Sequence, residues 1–409
     1  MARVVVTGIG GVSALGSDWA TIESGLRACR NAVRTMPEWD RHTEMGTRLA
    51  APILDFAPPA HWTRKQLRSM GRVSQLAVRA SELALADAGL AADASLQDGR
   101  MGVACGSSIG STADISDFAE MLLIGKADRL NANSYVRMMP HTTAANIGIF
   151  FGLTGRIIPT SSACTSGSQG IGYAYEAVSS GRQAMMLAGG AEELCPSQAM
   201  AFDLLYATCR RNDTPALVPQ PYDRDRDGLV VGEGAGMLVL ETLEGALARG
   251  ARIHAEIAGF ASNSDGSHVT RPRQETMRRV MQMALADAGI EPARVGYVNG
   301  HGTSTEHGDI AETQATNEVF GARMPISSQK SYLGHSMGAC GALEAWVTIA
   351  GLNRGWFPPT LNLNNIDPRC GELDYITGAG RQIDTDYAMS NNFAFGGVNT
   401  SLVLRRFRP

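Results

Sequence analysis

Cys164 is the residue of this sequence best suited to act as a nucleophile. It lies in residues 159–178, PTSSACTSGSQGIGYAYEAV, where small residues follow the cysteine. Thr160, Ser161 and Ser162 precede it, and such side chains accept hydrogen bonds from the free N–H groups at the start of a helix. The stretch predicts a strand-to-helix junction at which the helix dipole lowers the pKa of the thiol below about 8.5. The alternative is an inert buried cysteine, which is common in proteins.

His301 and His335 are candidates for a second chemical role because each lies in a glycine-flanked turn. His301 stands in VNGHGTSTEHGD, and His335 stands in SSQKSYLGHSMGACGALE. A lone histidine is more often structural than catalytic. Lys330 precedes His335 and Glu344 follows it, so we expect a buried ion pair that holds this turn.

One cysteine together with two histidines favours condensation over hydrolysis. A cysteine and a single histidine would indicate acyl transfer to water. Two histidines without an obvious orienting aspartate or asparagine indicate a different chemistry, in which neutral imidazoles donate N–H groups to the oxygen of a thioester enolate. A decarboxylative condensation needs that arrangement.

The composition is that of an ordinary folded protein. The chain has 409 residues, of which 44% are apolar and 19% charged, and a formal net charge of −4 that gives no indication of nucleic-acid binding. Its 7 cysteines lack the spacing of a disulfide framework or a zinc site. The N-terminus lacks a signal-peptide core, and no apolar run reaches the ~18 residues that span a bilayer. We therefore expect a cytoplasmic protein without membrane insertion.

A sequence repeat predicts two similar halves. ALADAG occurs at residues 84–89 and again at 284–289, and each copy precedes a strand that ends in glycine. A second echo pairs VVGEGAGMLVLE (230–241) with FAFGGVNTSLVLR (393–405). Two echoes in the same order indicate a duplicated α/β unit. We expect one half at residues 1–250 with the nucleophile and the other at 251–409 with the two histidines, so that a site forms at their seam.

Two apparent ligand motifs fail on inspection. The first strand ends in TGIGG, which is not the G-x-G-x-x-G of a dinucleotide site. Asp223, Asp225 and Asp227 begin like a calcium loop, but Gly234 stands where the bidentate glutamate would be needed. The sequence thus predicts no bound metal, and an internally salt-bridged turn at 223–227.

Four ordered stretches, SSACTSGSQGIG, GHGTSTEHGD, KSYLGHSMGA and NNFAFGGVN, resemble the β-ketoacyl-[acyl-carrier-protein] synthases of fatty-acid elongation, types I and II. The resemblance implies the α/β thiolase fold, in which two duplicated halves form a five-layered body. It also implies a homodimer, with a heterodimer containing a ketosynthase-like subunit as the alternative.

The resemblance assigns roles to the candidate residues. Cys164 would hold the acyl chain as a thioester, and His301 and His335 would promote decarboxylation of malonyl-acyl carrier protein. The product would be a 3-oxoacyl-acyl carrier protein two carbons longer. Lys330, with Glu344, would support the histidine geometry.

Further positions follow from the same resemblance. The N–H groups of Cys164 and Phe395 would form an oxyanion hole, and Phe395 would gate access to the sulfur. Thr303 and Thr305 would bind the pantetheine arm, and Ile109 would line the acyl tunnel. The remaining supporting residues would be Asp309 and Glu312.

Two positions depart from the family pattern. Leu229 replaces a common phenylalanine near the malonyl site, and Ala394 replaces a common glycine in the Phe395 loop. Loss of the aromatic wall would slow decarboxylation or admit a different acyl shape, whereas the alanine would stiffen the loop. We therefore expect a specialised synthase, for an unusual or polyunsaturated chain of polyene or polyketide type.

The expected partner is an acidic acyl carrier protein. A basic cluster supplies its predicted docking face at Arg64, Lys65 and Arg68, with Lys126 and Arg129 as further candidates. The enzyme would bind no cofactor of its own, because the 4′-phosphopantetheine arrives on the carrier. A solvated basic face is the alternative interpretation.

Two other functions remain as alternatives. A degradative thiolase needs a second catalytic cysteine near the C-terminus, and Cys370 stands in a Pro/Asn-rich linker instead. A non-catalytic chain-length-factor-like subunit usually lacks the nucleophile. The joint presence of Cys164, His301 and His335 favours an active acyltransferase over both.

Overall fold

A computed structural model describes residues 1–408 of the chain. The strands are β1 Val4–Ser13, β2 Arg34–Thr35, β3 Leu49–Ala51, β4 Met101–Gly106, β5 Ile157–Pro159, β6 Met185–Glu192, β7 Val231–Gly232, β8 Gly234–Thr242, β9 Ala255–Ser264, β10 Val295–Asn299, β11 Pro325–Ser327, β12 Trp356–Phe357, β13 Asp374–Tyr375, β14 Arg381–Gln382, β15 Tyr387–Ala394 and β16 Val398–Arg406. The α-helices are α1 Trp19–Arg27, α2 Arg64–Leu67, α3 Arg72–Asp87, α4 Thr112–Ile124, α5 Ala132–Met138, α6 Thr142–Phe151, α7 Ser166–Ser179, α8 Pro196–Asp203, α9 Leu243–Ala248, α10 Gln274–Ala288, α11 Glu306–Phe320, α12 Lys330–Leu333 and α13 Cys340–Arg354.

The main sheet shows the duplication directly. Its 11 strands run in the order β13-β11-β10-β15-β16-β9-β1-β8-β6-β4-β5. Outward from the centre, β1-β8-β6-β4-β5 on one side is matched by β9-β16-β15-β10-β11 on the other. The two sides join where Val4–Val6 of β1 pairs antiparallel with Ala255–Ile257 of β9. The nucleophile follows β5, and the first histidine follows β10.

The repeated ALADAG segment has a packing role that is the same in both halves. It ends α3 and α10, and each helix lies against the first strand of its half. A side chain at Gly8 of β1 would place its Cβ 2.2 Å from the carbonyl oxygen of Ala84, and one at Gly259 of β9 would place it 2.6 Å from that of Ala284. Both contacts need glycine on the strand and small residues on the helix.

Helices α7 and α13 form the middle of five layers. Each contacts strands of both halves of the sheet, while α3 and α6 cover one outer face and α10 and α11 the other. The small residues of α7 permit this burial, because a Cβ at Gly170 would lie 2.4 Å from the carbonyl oxygen of Gly189. Most residues of α7 are accordingly buried.

Two charged segments have partners elsewhere in the chain. The segment after Thr63 forms two helices, α2 and α3, and Arg72 at the start of α3 pairs with the buried Glu233 at 2.9 Å. Within the turn at 223–227, Arg224 lies 3.6 Å from Asp225, which agrees with the predicted internal salt bridge. Buried Arg226, however, pairs with Asp309 at 3.3 Å and Asp367 at 2.8 Å, because both carboxylates approach it from the other half.

The helices of residues 1–408 include none with both the length and the apolar character needed to cross a bilayer.

Candidate active site

Cys164 lines a cavity of about 410 Å³. It follows β5 in a short 3-10 turn, Ala163–Thr165, that leads into α7. Its side chain is only 4% exposed, and Nε2 of His335 lies 2.9 Å from its sulfur. A ring nitrogen at this distance can accept the thiol proton as the sulfur attacks.

The structure brings the two histidines together beside Cys164. Their ring centroids are 5.2 Å apart and the rings are perpendicular, with an interplanar angle of 89°. His301 follows β10. The backbone N–H of His335 donates a hydrogen bond to the carbonyl oxygen of Val230 at 2.7 Å. Both side chains line the same cavity.

The predicted activation of Cys164 by a lowered pKa is wrong. Burial raises the pKa of the thiol to about 11, although the charge of Lys330 and the backbone N–H groups of Phe395 and Cys164 act in the opposite direction. The sulfur lies in the 3-10 turn before α7, enclosed by the cavity walls, and desolvation of a thiolate there outweighs these favourable interactions. The resting residue is therefore a protonated thiol near neutral pH.

Both histidines are neutral. Burial lowers the pKa of each ring well below its usual value, and the positive charge of Lys330 lowers it further. Neutral imidazoles can donate a hydrogen bond to an oxygen that acquires negative charge without carrying a charge of their own. This is the state that the sequence predicts for an enolate site.

Lys330 forms the expected buried ion pair with Glu344. Both side chains are 2% exposed. Burial alone would lower the pKa of Lys330, but the carboxylate of Glu344 raises it above its usual value. The pair therefore supplies a fixed positive charge behind the two histidines.

Glu312 and Asp309 hold the loop that carries His301. The carboxylate of Glu312 accepts the backbone N–H groups of His301 and of Gly302, the latter at 2.7 Å. Asp309 accepts the N–H of Ser304 at 3.1 Å. Burial raises the pKa of Glu312 to about 8 and that of Asp309 to about 6.

The same cavity is lined by Thr303, Thr305 and Phe395. The hydroxyls of the two threonines are 2.8 Å apart. Phe395 follows β15, packs against Phe202 with ring centroids 4.9 Å apart, and presents its backbone N–H to the sulfur of Cys164. Gly396 and Gly397 follow it with φ of 87° and 72°, so the turn uses a backbone conformation that favours glycine.

Of two predicted substrate-binding residues, Leu229 lines the cavity and Ile109 does not. Leu229 lies in the cavity wall, 3% exposed, in one apolar cluster with Cys164 and Phe202. Ile109 is half-buried and does not line this cavity. Any contact of Ile109 with an acyl chain would thus need space beyond the cavity as it stands.

The predicted docking residues lie on the surface. Arg64 and Lys65 begin the short helix α2, and both are exposed together with Arg68. Arg64 and Arg68 line an open basic hollow with Arg137. Lys126 and Arg129 are exposed in the segment after α4, and Arg129 lies 3.8 Å from the carboxylates of Asp117 and Glu120 on that helix.

Sequence reasoning missed two residues beside the histidines. The sulfur of Cys340, the first residue of α13, lies 3.3 Å from the carbonyl oxygen of Cys164. The side-chain nitrogen of Asn392 lies 3.4 Å from Nδ1 of His301. Both stand inside motifs that the sequence analysis singled out, but nothing in their local spacing indicates that they face His301 or Cys164.

Two sets of side chains within residues 1–408 bring potential metal ligands within 4.8 Å of one another: Cys164, His301 and His335, and His301, Cys340 and Glu344. His335 already contacts the thiol, and Glu344 already pairs with Lys330. The existing contacts account for these groups without an ion.

Comparison with known proteins agrees with the site. The model of the β-ketoacyl synthase N-terminal domain matches residues 1–246, and that of the C-terminal domain matches residues 254–364. A 3-oxoacyl-[acyl-carrier-protein] synthase 2 from Synechocystis sp. is 36% identical over 412 residues, which cover 99% of this chain and 98% of that protein.

Solved structures extend the comparison. A β-ketoacyl synthase from Burkholderia phymatum STM815 is 62% identical, with a TM-score of 0.99 and full coverage of both chains. A ketosynthase bound to a hexaketide, in complex with its type II polyketide acyl-carrier protein, is 30% identical with a TM-score of 0.86, covering 99% of this chain and 100% of that one. The α/β thiolase fold predicted from the motifs is confirmed. The chain belongs to the β-ketoacyl synthase family.

Proposed function

We propose that this protein catalyses the decarboxylative Claisen condensation of an acyl chain with malonyl-acyl carrier protein. The observation that carries the proposal is the meeting of one thiol and two neutral imidazoles in a single cavity, with Nε2 of His335 2.9 Å from the sulfur of Cys164. The full-length relatives named 3-oxoacyl-[acyl-carrier-protein] synthase 2 support it.

In the first half-reaction, the sulfur of Cys164 attacks the carbonyl carbon of an acyl chain carried on pantetheine. The bond between that carbon and the pantetheine sulfur breaks, and the carrier leaves as a thiol that takes up the proton of Cys164. The backbone N–H groups of Cys164 and Phe395 donate to the oxygen that becomes negative, since both already approach the cysteine sulfur. His335 relays the proton, because the thiol is protonated at rest.

In the second half-reaction, malonyl-acyl carrier protein loses CO₂. The bond to the carboxylate carbon breaks, and its electron pair forms an enolate whose oxygen accepts N–H hydrogen bonds from His301 and His335. The enolate carbon then attacks the acyl group on Cys164, and the carbon–sulfur bond breaks. Cys164 leaves as a thiolate and takes up a proton from water by way of His335. The product is a 3-oxoacyl chain two carbons longer on the carrier.

The pantetheine arm supplies the reactive thioester, so the enzyme needs no bound cofactor in this scheme. Thr303 and Thr305 flank the cavity with their hydroxyls, which suits the amide groups of the arm. The exposed cations Arg64, Lys65 and Arg68 form the docking face for the acidic carrier, with Lys126 and Arg129 at its side. The ketosynthase solved in complex with its carrier supports the carrier as partner.

The chain acts as a homodimer in our proposal. Strand β5 lies at one end of the main sheet, and its Ile157 is 46% exposed, while Ile149 of α6 is 74% exposed. An open strand edge with apolar neighbours is a surface that a second copy covers well. Light scattering should give twice the mass of the chain, and Ile157→Lys should reduce it, unlike Leu247→Lys on α9. A monomeric wild-type protein would contradict the homodimer. A dimer mass that appears only when a second ketosynthase-like chain is added would favour the heterodimer.

We propose that the two halves meet at residue 250, between α9 and β9, and that the protein is located in the cytoplasm.

A specialised acyl substrate is part of the same proposal, because Leu229 stands in the cavity wall where the family resemblance leads one to expect a phenylalanine. Comparable turnover on saturated acyl carriers of many lengths would contradict this specialisation. Fractionation of cells that express the protein would test its location.

Transfer of a radiolabelled acyl group tests the proposed function. Incubation with labelled acyl-acyl carrier protein should label the wild-type chain on Cys164, and Cys164→Ala should remain unlabelled. Addition of malonyl carrier protein should release the label as a longer 3-oxoacyl chain. Acylation without elongation would contradict the condensation, and no acylation at all would favour a non-catalytic subunit.

A further inference from the structure

Asn392 links the buried ion pair to His301. It lies on β15, where its backbone pairs with Thr400 of β16, so the position of its Cα is set by the sheet. Its side-chain nitrogen lies 2.7 Å from Oε2 of Glu344 and 3.4 Å from Nδ1 of His301. The residue therefore contacts both the carboxylate behind the site and one of the two rings that face the sulfur.

The contacts of Asn392 determine the direction of its amide. A carboxylate paired with Lys330 only accepts hydrogen bonds, so the atom 2.7 Å from Oε2 of Glu344 must be the NH₂ group. The amide oxygen then faces Gly341, where a Cβ would lie 2.7 Å from it. Glycine at 341 thus leaves room for this orientation.

This orientation decides which nitrogen of His301 carries the proton. One N–H of the amide is used by Glu344, and the other lies near Nδ1 of His301 at 3.4 Å and the sulfur of Cys340 at 3.7 Å. A hydrogen bond from this N–H to Nδ1, the nearer of the two atoms, requires an unprotonated Nδ1. In a neutral imidazole the proton is then on Nε2. Nε2 of His301 is free of protein partners within residues 1–408, and its ring lines the cavity.

Packing alone does not explain an asparagine at this position. Its amide oxygen is sealed from solvent without a hydrogen-bond partner, and such an oxygen costs stability. A smaller or apolar side chain would avoid that cost. The amide nitrogen, by contrast, has three acceptors around it, on Glu344, His301 and Cys340, and all three lie beside the site.

We propose that Asn392 is a positioning residue that holds His301 in the tautomer with the proton on Nε2, where it can donate to the enolate oxygen during decarboxylation. The inference rests on the proposed function. It assigns Asn392 no contact with substrate. Without the amide, Nδ1 loses its donor and the two tautomers of His301 become closer in energy, so that fewer molecules present an N–H to the substrate.

Two measurements test the proposal on the full-length protein. The first is the ¹⁵N spectrum of protein labelled in histidine, with the His301 signals identified by their loss in His301→Ala. Wild-type protein should show a protonated Nε2 and an unprotonated Nδ1, and Asn392→Leu should shift both signals towards the other tautomer. The second is CO₂ release from malonyl carrier protein, which should fall about 10- to 100-fold in Asn392→Leu. Acylation of Cys164, which does not use His301, should change little.

The controls separate positioning from folding. Asn391→Leu makes the same change one residue earlier, where the side chain contacts Met281 and Ser401 instead of the site. It should leave the tautomer and CO₂ release per folded molecule unchanged. If Asn392→Leu does not fold, Asn392→Ser removes the amide with less volume change and should give the same shifts.

The outcomes distinguish this inference from the function on which it rests. A wild-type His301 protonated on Nδ1, or Asn392 variants with unchanged tautomer and CO₂ release, would overturn the role of Asn392 alone. A wild-type protein that releases no CO₂ from malonyl carrier protein would overturn the proposed function.

Discussion

Nε2 of His335 lies 2.9 Å from the sulfur of Cys164, although the two residues are 171 positions apart in the chain. The two reach each other because α7 and α13, which follow β5 and β11 in equivalent positions of the two halves, pack together in the middle layer. Duplication thus gives each half one turn at the start of a central helix, one bearing the thiol and the other the imidazole.

The protonated state of Cys164 predicts its alkylation profile. With a pKa of about 11, the thiolate fraction should rise about tenfold for each pH unit between 7 and 10. The rate of iodoacetamide modification at Cys164, followed by peptide mass spectrometry, should rise accordingly without a plateau. A rate that levels off below pH 8.5 would instead restore the lowered pKa that the sequence suggests. Exposed Cys29 in the same digest reports the activity of the reagent.

Cys164→Gln should separate decarboxylation from condensation. The thiol acts on the acyl group, whereas the histidines act on the malonyl group, so CO₂ release should persist while no 3-oxoacyl product forms. Adding His301→Ala to this variant should reduce CO₂ release by about 10²- to 10³-fold, the usual effect of removing one donor to a developing oxyanion. Unchanged CO₂ release in the double variant would exclude His301 from the reaction.

Leu229→Phe should narrow the range of accepted acyl chains. Leu229 lies in the cavity wall near Phe202, and the larger ring would occupy space there. We expect kcat/KM for the bulkiest accepted chains to fall about tenfold relative to short chains. Leu229→Met, which nearly conserves volume, is the control and should leave the profile unchanged. An identical profile for all three proteins would show that this wall does not select substrates.

Reversal of the charges at Arg64, Lys65 and Arg68 should weaken carrier binding. Substitution of all three by glutamate should raise KM for the acyl carrier about tenfold at low salt with a smaller change in kcat, because long-range attraction acts on encounter. The difference in KM between the triple variant and the wild-type protein should shrink in about 0.5 M salt, because charges more than a few ångströms apart are screened there. Arg323→Glu, at an exposed site after α11, is the matched control. Equal KM values for the triple variant and the control would show that the basic cluster is a solvated surface without a role in carrier binding.

Glu312 should make stability fall as pH rises. Its pKa is about 8 in the folded protein and near 4.5 when exposed, so between these values the folded state binds one proton more than the unfolded state. The stability that Glu312 contributes is fully present below pH 4.5 and is lost as pH rises through 8. In this range the free energy of unfolding falls by at most about 1.4 kcal/mol per pH unit.

Denaturant unfolding at several pH values measures this slope. Glu312→Gln cannot ionise, so its free energy of unfolding should depend less steeply on pH between 5 and 8, roughly, than that of the wild-type protein. The same variant should also be less stable at low pH, because one of the two N–H groups at His301 and Gly302 loses its acceptor. Parallel curves for the two proteins would show that Glu312 is ionised in the folded state.

The sequence by itself identified the duplicated α/β body and the thiol and two imidazoles of the cavity. ALADAG packs on Gly8 in one half and on Gly259 in the other, so a local repeat reported a repeated helix–strand contact. His301 and His335 could be selected because glycine-flanked turns are visible in a linear sequence, and Cys164 because hydroxyl residues precede it and small residues follow it. Their meeting required only that two equivalent halves face each other.

The tertiary structure alone decided the protonation state of Cys164 and the partners of Arg226 and Asn392. The pKa of Cys164 depends on how completely the cavity walls remove water from the sulfur, and no local pattern encodes that. Arg226 pairs across the molecule rather than with its neighbours in sequence, and Asn392 reaches His301 from a different strand. Desolvation and hydrogen-bond geometry depend on surroundings assembled from distant segments, whereas motifs record only which side chains are available.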